Sequence, residues 1–115
     1  MSKHMQLTIN VRPYYQEHFK AVYPKLSANL SHAGALGEDD DPSLYDLVGN
    51  LDKLLYALDG NSSCKEILLK RKGQLKSLYD EIEGDIADWK LAQADKALYK
   101  LEDIFDEIEW ELDKV

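Results

Sequence analysis

The chain has 115 residues, of which 44% are hydrophobic and 31% charged, and its formal net charge is −8. This length is typical of one domain, and a composition with three prolines and six glycines is globular and favours helix over disorder. The apolar runs are too short to span a membrane, the N-terminus lacks the continuous apolar stretch of a signal peptide, and the single cysteine, Cys64, cannot form an internal disulfide. We therefore expect a single cytoplasmic domain over residues 1–115.

The charge is distributed unevenly along the chain. It is +3 over residues 1–37, −6 over 38–63, +4 over 64–76 and −9 over 77–115. A protein that binds nucleic acid needs cations to replace the counterions on the phosphates, so most of this surface should repel nucleic acid. The charge distribution predicts a partner that is basic or neutral.

The N-terminal third predicts a short extended segment followed by a kinked helix. Apolar and polar residues alternate up to Val11, which indicates an extended segment over 1–11. Pro13 suits the first turn of a helix over 13–31. The apolar face of this helix contains Tyr15, Phe19, Val22, Leu26 and Leu30. Pro24 removes a backbone hydrogen bond inside it, so we expect a kink near Val22 and Tyr23.

Three further helices are predicted after an acidic loop over 34–41. The second helix, 43–59, should begin with Asp41 as its N-cap, and the third, 64–87, with a capping box formed by Ser63 and Glu66. The fourth helix, 90–113, should have Asp88 as its N-cap. The basic residues Lys70, Arg71 and Lys72 on the third helix are expected to pair with acids on an antiparallel neighbour. Together these elements predict an all-α, up-down four-helix bundle with a kinked first helix.

The fourth helix has an apolar seam and an unusual opposite face. The seam, in heptad spacing, consists of Leu91, Ala94, Leu98, Leu101, Phe105, Ile108, Leu112 and Val115. The opposite face combines aromatic rings with carboxylates, which suits a basic partner because arginine both stacks on aromatic rings and pairs with carboxylates. The candidate contact residues are Trp110, Tyr99, Asp103, Asp106, Glu107 and Asp113. Two alternatives are that Trp110 packs on its own chain or across a homodimer.

Sequence motifs for catalysis are sparse. Arg12 and His18 have a spacing that resembles the Arg-x(4–6)-His signature of HEPN-type helical ribonucleases, a resemblance that implies RNA cleavage by this pair, although Pro13 replaces the usual polar residue after the arginine. The sequence contains no Glu-x-x-His pair for a di-iron site and no cysteine and histidine cluster for zinc. We predict no metal and no cofactor. Cys64, near a helix start, is either a thiol of lowered pKa or an inert, half-buried one.

These observations predict a small acidic protein-binding module without catalysis. It would occlude or hold a basic surface of a partner protein, as inhibitors, immunity proteins and chaperones do. One alternative is a self-assembling structural helical bundle. The second is a HEPN-like ribonuclease that uses Arg12 and His18.

Overall fold

A computed structural model describes residue 11 and residues 18–36 and 41–114 of the chain, and every regular element in them is helical. The six α-helices are α1 (Phe19–Val22), α2 (Pro24–His32), α3 (Leu44–Gly49), α4 (Leu51–Ala57), α5 (Ser62–Ala87) and α6 (Leu91–Asp113). A 3₁₀ helix, Leu58–Gly60, joins α4 to α5. The prediction of an all-α protein is confirmed over these residues. The predicted extended segment 1–11, apart from residue 11, and the centre of the acidic loop lie outside them.

The first predicted helix is interrupted where the proline predicted a break. Helix α1 ends at Val22, Tyr23 leaves the helical conformation with φ −127° and ψ 67°, and Pro24 starts α2 as its first residue. Proline suits this position because it has no N–H to leave unpaired. The break turns the Tyr23 ring inward, where its centroid lies 5.7 Å from that of Phe19 and 6.3 Å from that of Phe105 on α6. The predicted kink is therefore confirmed.

The prediction of one continuous helix over 43–59 was wrong. Asn50 separates α3 from α4, with its side-chain amide donating to the carbonyl of Asp46 at 3.0 Å. Asparagine competes with the helix in this way, and Gly49 before it adds backbone freedom. The predicted N-cap was also wrong, because the Ser43 hydroxyl accepts the Asp46 N–H at 3.0 Å, whereas Asp41 accepts the Phe19 N–H at 2.8 Å at the start of α1.

Helix α5 begins earlier than the sequence predicted. Its N-cap is Asn61, whose side-chain oxygen accepts the Cys64 N–H at 3.3 Å, so the capping box proposed for Ser63 and Glu66 does not form. Asn61 also donates to the side chain of Asn29, which fixes its oxygen toward the helix start. Asparagine and serine cap helices about equally well, and here the contact with α2 decides between them.

The turn between α5 and α6 is a Schellman motif. The N–H of Lys90 donates to the carbonyl of Asp85 at 2.7 Å, and that of Trp89 to Ile86 at 3.1 Å. Asp88 therefore ends α5 instead of capping α6, as had been predicted. Trp89 has a positive φ of 59°, a left-handed conformation that glycine usually supplies. The tight turn makes α5 and α6 an antiparallel hairpin.

The core is formed mainly by this hairpin and the helices that pack on it. Helices α2 and α3 contact α6, and α3 and α4 contact α5. The α6 seam is buried from Ala94 to Leu112, with Leu98 partly covered, and is widened by Ala97 and Ile104. Leu91, predicted in the seam, is 46% exposed because it follows the turn directly. Val115 lies outside the described residues.

Candidate functional site

The predicted contact face of α6 forms one outward stripe, defined here as Tyr99, Asp103, Asp106 and Trp110. These residues are spaced at i, i+4, i+7 and i+11, which places them on one side of a helix over about 16 Å. All four are exposed, Tyr99 by 62% and Trp110 by 61%. Asp103 and Asp106 form no ion pair within the described part of the chain. The stripe therefore presents two rings at its ends and two carboxylates without ion-pair partners between them.

One flank of the stripe is anchored to α5 by Arg71. Its guanidinium donates one N–H to Glu107 and another to Glu111 at 2.7 Å. Arg71 is only 17% exposed, and its hydrogen bond lowers the pKa of Glu111. Lys70 adds a contact of 3.6 Å to Glu111, which confirms the predicted pairing with an antiparallel neighbour, whereas Lys72 pairs with α4. Glu107 of the predicted contact set is thus already engaged within the chain.

The other flank is anchored to α2 by Glu109. Its two carboxylate oxygens accept the backbone N–H groups of Lys25 at 3.0 Å and Leu26 at 2.9 Å. The Lys25 ammonium also lies 4.0 Å from Asp113, another residue of the predicted contact set. Sequence reasoning missed Glu109, because no local pattern connects a carboxylate on α6 to a helix start more than eighty residues earlier. Glu109, the residue before Trp110, thus joins α6 to the start of α2.

A cation already lies on the Trp110 ring. The Lys114 ammonium is 3.7 Å from the ring centroid, four residues after the tryptophan. The face of an indole ring is electron-rich and attracts cations, most strongly among the aromatic side chains. The i, i+4 spacing could have predicted this contact from the sequence.

Several carboxylates lie close together beside the stripe. The pKa of Glu102, beside the stripe on α6, is raised by partial desolvation and then by the nearby carboxylates of Asp106, Asp103 and Asp95. Desolvation disfavours charge of either sign, whereas the effect of the three aspartates shows that negative charge is concentrated here. A groove of about 440 Å³ runs between α5 and α6 next to the stripe, and Asp103 and Glu107 are among its lining residues. The stripe and its groove define an acidic surface with aromatic ends.

Two of the residues considered for catalysis, His18 and Cys64, lie in the described part of the chain. Arg12 lies outside the described residues, and His18 is exposed, with Nδ1 3.2 Å from the carboxylate of Asp41. Cys64 is buried in the core, and burial raises the pKa of its thiol to about 11. Of the two alternatives for Cys64, the inert thiol is supported, since a raised pKa leaves little nucleophilic thiolate.

Residues 18–36 and 41–114 contain no group of three or more histidine, cysteine, aspartate or glutamate side chains arranged to hold a metal ion. None of the helices described there is both long and apolar enough to cross a membrane.

Comparison of the chain with protein-family models, with curated proteins and with solved structures gives no match.

Proposed function

We propose that the protein is a non-catalytic binding module that holds or occludes a basic surface of a partner protein through the stripe on α6. The observation that carries this proposal is the exposure of Trp110, with a lysine ammonium on its ring. The two preceding turns carry Asp103 and Asp106, which have no ion-pair partner among the described residues. Large exposed aromatic residues on a charged helix are typical of contact surfaces, because they give a partner much area at a low cost in side-chain entropy. The proposal includes the up-down four-helix arrangement as the scaffold.

Charge supports a basic partner over an acidic or neutral one. The carboxylates of Glu107, Glu109 and Glu111 are occupied by contacts to α5 and α2, whereas those of Asp103 and Asp106 are not. The repulsion that Asp106 and Asp103 exert on the Glu102 carboxylate would be relieved by an arriving cation. Such complementarity also accelerates association, in a way that salt weakens.

The test compares aromatic residues that are equally easy to remove but differently placed. Trp110→Ala should abolish capture of a partner by the immobilised protein. The double variant Asp103→Asn, Asp106→Asn should capture less of the partner, and its capture should depend less on salt concentration. Tyr56→Ala is the matched control, because Tyr56 is 84% exposed on α4, away from the stripe. Equal capture of every partner by the Trp110 variant and the Tyr56 variant would refute the proposal.

A homodimer through the same stripe is the second candidate, because exposed aromatic rings also suit self-association. Sedimentation equilibrium of the wild-type protein and of Trp110→Ala distinguishes the two. A dimer that the substitution dissociates would assign the surface to a second copy. A monomer at micromolar concentration favours a foreign partner.

A further inference from the structure

The contact between Lys114 and Trp110 defines the chemistry of the ligand more closely than net charge does. Lys114 follows the last residue of α6, and its backbone N–H donates to the carbonyl of Glu111 at 3.2 Å, so the side chain starts from a fixed point. Its ammonium reaches the ring although water surrounds both groups. The ring of the free protein is therefore already in contact with a cation.

We propose that Lys114 is an internal stand-in for a partner cation, and that an arginine of the partner displaces it from the Trp110 ring. This inference rests on the proposed function of the stripe. Two cations cannot occupy the same ring face, because they exclude each other sterically and repel each other. Lys114 thus acts as a competitor that weakens non-specific binding of single cations to the ring.

Arginine fits the surroundings of the ring better than lysine does. A guanidinium can lie flat on the indole and still direct its N–H groups, in the plane of the ring, toward nearby carboxylates. Asp106 and Asp113 stand four residues before and three residues after Trp110 on α6, which places one on each side of the ring along the helix. Asp106 has no ion-pair partner among the described residues, and the exposed Asp113 has only the 4.0 Å contact with Lys25. An ammonium is a compact point charge and cannot stack and pair in this way. The arginine would therefore gain contacts that Lys114 leaves unused.

The test uses an alanine-based helical peptide with arginines at i, i+4 and i+7, and its lysine counterpart. Binding is followed by the fluorescence of Trp110 in a Trp89→Phe background, for the parent protein and for Lys114→Ala. Lys100→Ala is the matched control, since Lys100 is an exposed lysine of α6 in the same heptad position, and its loss changes the net charge equally. Lys114→Ala should bind the arginine peptide about two- to five-fold more tightly than Lys100→Ala, the factor expected for an exposed cation–π contact.

Nuclear magnetic resonance reports the displacement directly. The ε-methylene protons of Lys114 should be shifted upfield by the ring current in the free protein, should lose this shift in Trp110→Ala, and should lose it when the arginine peptide binds. Tighter binding of the arginine peptide than of the lysine peptide supports the choice of arginine, and equal binding overturns it.

The outcomes separate this inference from the proposed function. If the peptide binds through Trp110 but leaves the Lys114 shift in place, and the two lysine variants bind equally, the stand-in role is wrong and the proposed function holds. If neither peptide binds, or binding is unaffected by Trp110→Ala, both are wrong. Loss of the Lys114 shift on raising the protein concentration alone would identify a second copy as the occupant and overturn the basic partner.

Discussion

Removal of the Glu109 carboxylate should destabilise the protein through the start of α2. The side chain of Tyr23, the N-cap residue, does not cap the start of this helix, and Pro24 at the first position has no N–H. The next two N–H groups, of Lys25 and Leu26, are the ones that an N-cap side chain normally accepts, and both donate to Glu109. Glu109→Ala leaves them without this acceptor and removes the hydrogen bonds that join the start of α2 to α6.

The expected loss in the free energy of unfolding follows from these two hydrogen bonds. An N-cap substitution typically costs about 1 kcal/mol and at most about 2, and one hydrogen bond to a charged group contributes about 1.5–3 kcal/mol. The Lys25 N–H is exposed and can bond to water instead, whereas the Leu26 N–H is partly buried. We therefore expect Glu109→Ala to lower the free energy of unfolding by about 2 kcal/mol, which corresponds to a fall in Tm of about 8 °C.

Urea unfolding followed by far-ultraviolet circular dichroism measures this loss. Glu102→Ala is the matched control, because Glu102 has the same residue type and the same heptad position on α6 but is exposed and accepts no backbone N–H of another helix. Its removal should not lower the free energy of unfolding, since the raised pKa of Glu102 shows that its charge does not stabilise the fold. Glu109→Gln should fall between the wild type and Glu109→Ala, since one oxygen remains as acceptor. Equal urea midpoints for the two alanine variants would show that the long-range cap contributes nothing.

Two further predictions concern the turn and the charge of α6. Trp89→Gly should be more stable than Trp89→Ala by about 1 kcal/mol in the same urea assay, because both lose the ring but only alanine keeps the cost of a left-handed backbone. The opposite order would mean that the positive φ at this position carries no strain. Glu102→Gln should raise the free energy of unfolding at pH 7. The carboxyl pKa of Glu102 is higher in the folded than in the unfolded protein, so the ionised side chain destabilises the fold above the folded-state pKa. This effect is absent below the unfolded-state pKa, where the side chain is neutral in both states. The gain should vanish at about pH 3, where both side chains are neutral, and a gain independent of pH would refute the electrostatic cause.

The local sequence pattern was sufficient to predict the structure where a single residue or a regular periodicity controls it. Pro24 removes a hydrogen bond in any surroundings, so the break at Tyr23 could be predicted. The heptad period fixed which side of α6 packs inward, and it placed Trp110 opposite the seam. The pairing of Arg71 with Glu107 and Glu111 could be predicted because a short turn makes the two long helices antiparallel.

Helix capping, by contrast, was decided by tertiary structure. Asp41, Ser43, Asn61 and Ser63 are all good caps in isolation, with free energies too similar for a local rule to separate. The Asp41 carboxylate accepts the N–H of Phe19, and the Asn61 amide donates to the side chain of Asn29. Both hydrogen bonds join distant parts of the chain, and they decide which residue caps which helix.

The sequence by itself determined the helical class, the acidic charge and the side of α6 on which Trp110 lies, since these depend on composition and periodicity. Only the tertiary structure decided that the ring stays uncovered. A helical period gives a direction for each side chain, but it contains no information on whether another segment occupies the space beyond. Here α2 and α5 reach the flanks of α6 through Glu109 and Arg71 and leave the stripe between them open.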